Sequence, residues 1–430
     1  MKKTLPNLYT LQNGIRLVTF PLLSTETVSV LILIKVGSRD EEDRIQGVSH
    51  FLEHLFFKGT KKHPSPQEIA SILESVGAHF NAFTTKEFTG FYVTAASDKL
   101  DLILDVLSDV LLNSLFEKNE IERERGVILE EMKLYFDTPS RYIGNIFEEL
   151  LWPGHPLGND IIGNQHTLNQ ITPEDIVGYF KTHYRAEKTV ISIAGKFNET
   201  RIIHKLEEYF ARFNGHKATE AISRPPQVSR VPMKLKEKDT DQIHLALGVS
   251  SFGMTDPRRE AAELLGVILG GGMSSRLFVR IREELGIAYY IYTAPDHYKD
   301  AGYFVSLAGV NVSKADLAVA AIVEEYMRTA HERVEEKELT KAKEFMKGQL
   351  LLELESSFAM ARLIGFKELL LNERETLEDY FRRLDAITKD EIRALARDIF
   401  SQDAFRLAMI GPSQSEEKFT KLFRRDRLKE

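Results

Sequence analysis

Cysteine is absent from the 430 residues of the chain. This absence excludes disulfide bonds, thiolate metal ligands, a cysteine nucleophile and iron–sulfur clusters. Any metal ion would have to bind through histidine, aspartate or glutamate side chains. The chain has 12 histidines, so imidazole ligands are available.

Long apolar runs are also lacking. No window approaches the roughly 18 consecutive apolar residues of a membrane-spanning helix. Near the start, Lys2 and Lys3 are soon followed by polar residues instead of the apolar core of a signal peptide. We therefore expect a cytoplasmic protein with no membrane partner.

Positive charge is not in excess, since 57 Lys and Arg residues face 64 Asp and Glu residues and the formal net charge is −7. This balance argues against nucleic acid as a partner. With 43% hydrophobic and 28% charged residues, the composition is that of an ordinary globular chain. At roughly 150 residues per domain, the length predicts two or three domains.

The order of local patterns repeats after roughly 210 residues. The strand-like run at residues 28–36 is matched at residues 243–249, and the run at 90–94 is matched at 302–306. Helical patterns follow in both halves. Such self-similarity indicates two copies of one domain, each with mixed strand and helix order of the α+β type.

The domain boundaries follow from the stretch between the copies. Residues 214–232 are rich in proline and show little periodicity, which is typical of a linker. We predict an N-terminal domain over residues 1–213 and a C-terminal domain over residues 233–430. Continuous helical periodicity further predicts one long helical stretch over residues 99–135.

The segment from His50 to His54 (HFLEH) is a His-x-x-Glu-His motif. On a helix, the imidazoles of His50 and His54 lie one turn apart and face the same way, with Glu53 on the same side. Two imidazole ligands beside a carboxylate that can act as a base form most of a catalytic zinc site. The alternative is a structural helix whose histidines are only hydrogen-bonded.

A zinc site of this kind needs a third protein ligand, normally a carboxylate or another histidine. Residues 121–135 form a helical stretch rich in glutamate. Glu124 and Glu131 lie about two turns apart and share one face, whereas Glu130 lies about 100° away from Glu131 around the helix. Spacing alone leaves both Glu130 and Glu131 open as the third ligand.

The HFLEH motif, followed later by residues 121–132 (IERERGVILEEM), resembles the inverzincin metallopeptidases of family M16, the pitrilysin type. The resemblance is greatest to the β-type branch of the mitochondrial processing peptidases (MPP) and their small bacterial relatives. The second half is similar too, through residues 270–278 (GGGMSSRLF). The resemblance thus covers nearly the whole chain.

The resemblance implies two homologous α+β domains of the LuxS/MPP-like metallohydrolase type, each a mixed, mainly antiparallel sheet flanked by helices. It implies one Zn2+ per chain, ligated by His50, His54 and Glu131. Glu53 would be the general base, and Glu124 a supporting carboxylate. The C-terminal domain lacks the motif and would bind no metal, serving to hold substrate and to form a dimer.

The resemblance also implies where substrate binds in the first half. Asn81, Ala82 and Phe83 match an edge strand that pairs with extended substrate backbone. Main-chain hydrogen bonds would supply the affinity and tolerate varied sequences. The alternative is an ordinary strand with Phe83 in the core.

In the second half, Arg280 and Tyr289 match the arginine and tyrosine that hold the substrate near the zinc in this family. Some members place the tyrosine directly after a glycine, but Ile287 and Ala288 intervene here. Tyr290 is therefore open as an alternative to Tyr289.

The function expected from the resemblance is that of a zinc metalloendopeptidase acting on oligopeptides or unfolded leader segments. Relatives of twice this length supply four such domains around the peptide, so a chain with two is expected to form a homodimer that encloses a chamber. Unstructured peptides are then the expected substrates. Two alternatives are a non-catalytic scaffold subunit and one chain of a heteromeric processing peptidase.

Overall fold

The structure is a computed structural model that describes residues 3–213 and 226–423. These residues divide into two compact units, each discontinuous in sequence. The first unit comprises the described residues of Met1–Lys133, Asp160–Ser223 and Leu351–Asp379, and the second those of Leu134–Asn159, Arg224–Leu350 and Tyr380–Glu430. Each unit thus takes one segment from the other half of the chain. The contiguous domains predicted from the sequence do not include this exchange of segments. Residues 214–225 of the predicted linker lie outside the described residues.

The first unit contains a six-stranded sheet in the order β1-β2-β6-β3-β5-β4. Its strands are β1 (Asn7–Thr10), β2 (Arg16–Pro21), β3 (Thr27–Ile34), β4 (His79–Thr84), β5 (Thr89–Ala96) and β6 (Thr189–Gly195). Strands β2 and β6 pair in parallel, and the other neighbours pair antiparallel. The mixed, mainly antiparallel sheet is confirmed.

The apolar sequences of β3 and β6 account for their central places. Every residue of β3 after Thr27 is buried, and so is every residue of β6. Strands covered on both faces need apolar side chains in both directions, which is why neither sequence alternates between polar and apolar residues. A strand with one solvated face would alternate.

The second unit contains a five-stranded sheet in the order β7-β11-β8-β10-β9. Its strands are β7 (Met233–Glu237), β8 (Gln242–Ser251), β9 (Ala288–His297), β10 (Gly302–Asn311) and β11 (Arg406–Gly411). Only β7 and β11 pair in parallel. This order reproduces β2-β6-β3-β5-β4, with β8 in the place of β3 and β10 in the place of β5. The internal repeat is therefore a repeat of topology.

Helices flank both sheets. In chain order they are α1 (Val48–Phe56), α2 (Pro66–Glu74), α3 (Leu100–Asn113), α4 (Lys118–Phe136), α5 (Pro139–Leu151), α6 (Gln165–Gln170), α7 (Pro173–His183), α8 (Glu199–Phe210), α9 (Arg259–Gly270), α10 (Ala315–His331), α11 (Glu336–Glu353), α12 (Ser357–Phe366), α13 (Leu377–Ala386), α14 (Lys389–Ile399) and α15 (Glu416–Phe423). Over the part of the chain that the structure describes, none of them is both long and apolar enough to cross a bilayer.

The segments taken from the opposite half carry one helix each against a sheet. In the first unit, α12 packs so closely that a Cβ added to Gly365 would lie 2.8 Å from side-chain atoms of Leu33 in β3 and Ser192 in β6. In the second unit, α5 packs its apolar face against the sheet, where Phe147 and Ile143 share a buried cluster with Ala246, among others. Both sheets are thereby covered.

The long helical stretch predicted over residues 99–135 is in fact two helices, α3 and α4. Between them, Ser114 forms a β-bridge with Thr60, and Phe116 adopts a φ of +50°, which a right-handed helix does not allow. The single-stretch prediction was wrong because no glycine or proline marks this break. A contact with a distant segment sets it.

Candidate metal centre

Helix α1 carries the His-x-x-Glu-His motif, and a buried carboxylate caps its first turn. Glu41 accepts hydrogen bonds from the backbone N–H of Gly47 (2.7 Å) and of Ser49 (2.8 Å). Gly47 has a φ of +95°, and a Cβ there would lie 2.7 Å from the carbonyl oxygen of Ile162. A glycine is therefore required where the helix begins.

The two histidines of α1 face one carboxylate. Their ring centroids lie 4.6 Å apart. The Nε2 atoms of His50 and His54 lie 3.8 Å and 3.5 Å from the same oxygen, Oε2 of Glu131 on α4. Among the described residues, these three side chains are the only group of histidine and acidic residues close enough to share a metal ion.

Glu130, the other candidate for third ligand, takes a different direction. Its carboxylate pairs with Lys133 on the same helix, with a nitrogen–oxygen distance of 2.6 Å, and both side chains are exposed. The structure thus places Glu131 beside the histidines and Glu130 in solvent. Spacing along the helix left these two residues open.

Two further residues extend the cluster from His54. The Nδ1 atom of His54 lies 3.1 Å from Oε2 of Glu124. The other oxygen of Glu124 lies 2.7 Å from the ammonium group of Lys58. The buried Glu124 therefore holds the far side of the His54 ring, which leaves Nε2 directed at Glu131.

This donor set fits zinc. Two imidazole nitrogens and one carboxylate oxygen are the three protein ligands of a common class of catalytic zinc site. A tetrahedral ion with bonds of about 2.0–2.1 Å would hold its ligand atoms about 3.4 Å apart. The observed distances to Glu131, 3.5 Å and 3.8 Å, are close to that value.

The surroundings give the two histidines different proton affinities. Burial, with the nearby charge of His54, lowers the pKa of His50 to about 4. Burial also acts to lower the pKa of His54, but the carboxylates of Glu124, Glu131 and Glu53 outweigh it and raise that pKa to about 9. The hydrogen bond with His54 lowers the pKa of Glu131. His54 therefore holds its proton more tightly than His50 does.

The remaining member of the motif, Glu53, contacts the end of β4. Its Oε2 accepts a hydrogen bond of 2.6 Å from the hydroxyl of Thr84, at the end of β4. Burial raises the pKa of Glu53, against the opposing effect of that hydrogen bond. A carboxylate with a raised pKa takes up a proton more readily near neutral pH.

Comparison with known proteins shows the family of the chain. The family model described as insulinase, peptidase family M16, matches residues 18–165, and the model described as the peptidase M16 inactive domain matches residues 170–346. The uncharacterized zinc protease YmxG of Bacillus subtilis is 34% identical over 94% of this chain and 98% of its own. The chain belongs to peptidase family M16.

Other M16-like proteins extend the comparison. An uncharacterized zinc protease of Streptomyces coelicolor is 33% identical over 95% of this chain and 90% of its own. The crystal structure of a protease from Helicobacter pylori has a TM-score of 0.89, covering 95% of this chain and 99% of that one, at 23% identity, which shows a shared fold. The boundary between the two M16 models, at residues 165–170, separates the metal cluster from the half that lacks the motif.

The residues predicted to bind substrate in the first half of this M16 chain form part of β4. Asn81 is exposed, while Ala82 and Phe83 are half-buried. The ring of Phe83 contacts those of Phe88 and Phe366. Strand β4 is the last strand of its sheet, so residues 81–83 lie on an edge strand, as the resemblance implied. Their role in substrate binding stays a prediction.

Arg280 and Tyr289 lie in the second unit of the M16 chain. The Arg280 guanidinium forms ion pairs with Glu325, at 2.9 Å, and with Glu324. The Tyr289 side chain is 75% exposed. Tyr290 is half-buried and shares a hydrogen bond with His244 Nδ1 (3.0 Å). Tyr289 is thus the more accessible of the two tyrosines.

Glu41, Lys58 and Thr84 contact α1 or α4 at the candidate site and were not predicted as site residues from the sequence. No local pattern marks Glu41 or Lys58, because their contacts with α1 and α4 arise only on folding. Thr84 could have been found, since it directly continues the strand assigned to substrate binding. However, no sequence pattern linked the Thr84 hydroxyl to Glu53.

Proposed function

We propose that the protein is a zinc-dependent endopeptidase that hydrolyses oligopeptides or unfolded leader segments, with one zinc ion per chain. The observation that carries the proposal is the convergence of His50, His54 and Glu131, with Glu53 beside them. His50, His54 and Glu131 would hold the ion. When bound, zinc lowers the pKa of a water molecule towards neutrality and polarises a peptide carbonyl.

The chain's own residues would move the proton. Glu53 takes it from the attacking water, because burial has raised the pKa of this carboxyl. The same carboxyl then returns it to the leaving amine. Glu124 orients the His54 ring through Nδ1 and keeps Nε2 available.

The substrate is proposed to be an extended peptide. Strand β4 carries Asn81, Ala82 and Phe83 at the edge of its sheet, where an added strand can find main-chain partners. Recognition through the backbone requires an unfolded segment and tolerates many sequences. Arg280 and Tyr289 are proposed to hold the substrate in a homodimer. The cytoplasmic location stays a prediction.

The proposal is tested by zinc content and by cleavage of a quenched fluorescent unstructured peptide. We expect the native protein to bind about one zinc per chain and to cleave. Glu53→Gln should keep zinc and lose activity by at least about a hundredfold, because it removes the base but no ligand. Glu130→Gln, a change at an exposed glutamate paired with Lys133, is the matched control and should remain active.

The alternatives predict other results. A non-catalytic scaffold subunit, which the likeness of residues 170–346 to an inactive domain permits for that half, would not cleave even when loaded with zinc. One chain of a heteromeric processing peptidase would cleave only with a second protein that copurifies. Cleavage by the purified single chain contradicts both.

A further inference from the structure

Thr84, the last residue of β4, directly contacts the candidate general base. Its hydroxyl has one hydrogen, which it donates to Oε2 of Glu53 at 2.6 Å. Both side chains are half-buried, so water competes weakly for this bond. A short hydrogen bond from a neutral hydroxyl to a carboxylate is also stronger than one between neutral groups.

The turn after β4 holds this contact in place. The backbone N–H of Ser38 donates to the carbonyl of Thr85 (3.1 Å), and that of Arg39 to the carbonyl of Lys86 (2.7 Å). Arg39 also forms an ion pair of 2.6 Å with Glu87, and both side chains are largely buried. The end of β4 is therefore fixed to the segment that precedes α1.

Strand β4 has one free edge. Within residues 3–213 and 226–423 it pairs only with β5, in register from His79 opposite Thr94 to Thr84 opposite Thr89. Its other edge can accept an extended peptide by strand addition. The strand proposed to bind the substrate backbone thus ends at the residue that contacts the base.

We propose that Thr84 is a positioning residue for Glu53, through which the substrate-binding strand aligns the base with the peptide it holds. The hydrogen bond engages Oε2 and fixes the plane of the carboxylate, so that Oε1 remains to accept the proton. This inference rests on the proposed function, because it assigns a partner to the proposed base.

The test compares Thr84→Val, which keeps the shape and removes the donor, with Thr84→Ser, which keeps the donor. We expect Thr84→Val to lower kcat about tenfold or more, with KM within about twofold and zinc content unchanged. Thr84→Ser should retain most of kcat. The control is Thr94→Val, on the same hairpin, whose hydroxyl bonds Ser29 instead of Glu53.

Crystal structures of the zinc-free variants give a readout that does not depend on activity. The Glu53 carboxylate should hold one orientation in the native protein and in Thr84→Ser, and more than one in Thr84→Val. Full kcat in Thr84→Val, or a Thr84→Ser no better than it, overturns the inference alone. A native protein that binds zinc and does not cleave overturns the proposed function, and this inference with it.

Discussion

Lys58 is linked to the proposed metal ligand His54 through Glu124. Its ammonium group lies 2.7 Å from Glu124, whose other oxygen lies 3.1 Å from His54 Nδ1. We expect Lys58→Met to weaken zinc binding about tenfold or more, because Glu124 loses the charge that fixes it and no longer orients the ring. Competition with a chromophoric chelator measures this affinity.

Two controls bracket the effect of Lys58. Lys58→Arg keeps the charge and should bind zinc within about threefold of the native protein. Lys61→Met removes an exposed lysine close by in the sequence and should change nothing. If Lys58→Met binds zinc as tightly as Lys61→Met does, Glu124 holds His54 without help.

The different pKa values of the two histidines predict how zinc affinity depends on pH. Zinc binds neutral imidazole, and His50, with a pKa of about 4, is already neutral. His54, with a pKa of about 9, must lose its proton. Zinc affinity should therefore fall about tenfold for each pH unit below 9 over the range where only His54 titrates. Chelator competition at pH 6, 7 and 8 checks the slope, and a flat profile contradicts it.

Among single residues, the sequence predicted the side chains of the motif better than the residues that contact them. The motif indicated His50, Glu53 and His54, because side chains on one helix have a fixed spacing. The choice between Glu130 and Glu131 depends on how α4 is rotated against α1, and only packing sets that rotation. The spacing of Glu124 and Glu131 was therefore informative, but not sufficient.

At the scale of one element, the stability of α1 depends on its cap. Glu41 satisfies two backbone N–H groups inside the protein, so Glu41→Ala leaves both unpaired and should cost about 2–3 kcal/mol in the free energy of unfolding. Urea unfolding measures this loss. Asn198→Ala, at the exposed cap of α8, should cost only about 1 kcal/mol. Equal losses of stability in Glu41→Ala and Asn198→Ala would contradict a larger contribution from the buried cap.

A second variant separates the charge of Glu41 from its shape. Burial raises the pKa of this carboxyl to about 8, so it is largely protonated at pH 6. We expect Glu41→Gln to cost about half as much as Glu41→Ala at that pH, because the amide keeps one carbonyl acceptor and leaves the other backbone N–H unpaired. A loss as large as that of Glu41→Ala at pH 6 would show that the ionised form is required.

Elements were predictable where a local period decides them. Apolar runs predicted β3 and β8, and the His-x-x-Glu-His segment lies on a helix, α1, as expected. The break between α3 and α4 was missed because a bridge from Ser114 to Thr60 makes it. Nor does an amphipathic sequence say which sheet its helix covers, so the exchange of α5 and α12 could not be foreseen.

At the scale of the whole molecule, the described residues repeat one fold but form a single candidate metal site. Both units share a strand order, but among the described residues only the first holds a histidine and carboxylate set. A duplicated domain that lacks such a set is free to serve another function. We proposed that it holds substrate in a homodimer, so light scattering should give twice the mass of the 430-residue chain.

Subunit complementation tests whether the second unit serves the partner's site. Tyr289 is exposed, so we expect Tyr289→Ala to fold normally and to lower activity about tenfold by weakening substrate binding. When Tyr289→Ala is coexpressed with Glu53→Gln, half of the dimers are mixed. Each mixed dimer has one site in which an intact base faces the intact tyrosine of the partner. Activity should then recover to about a quarter of the native value. If Tyr289 serves its own chain, no complete site forms, and activity stays near the mean of the two parents.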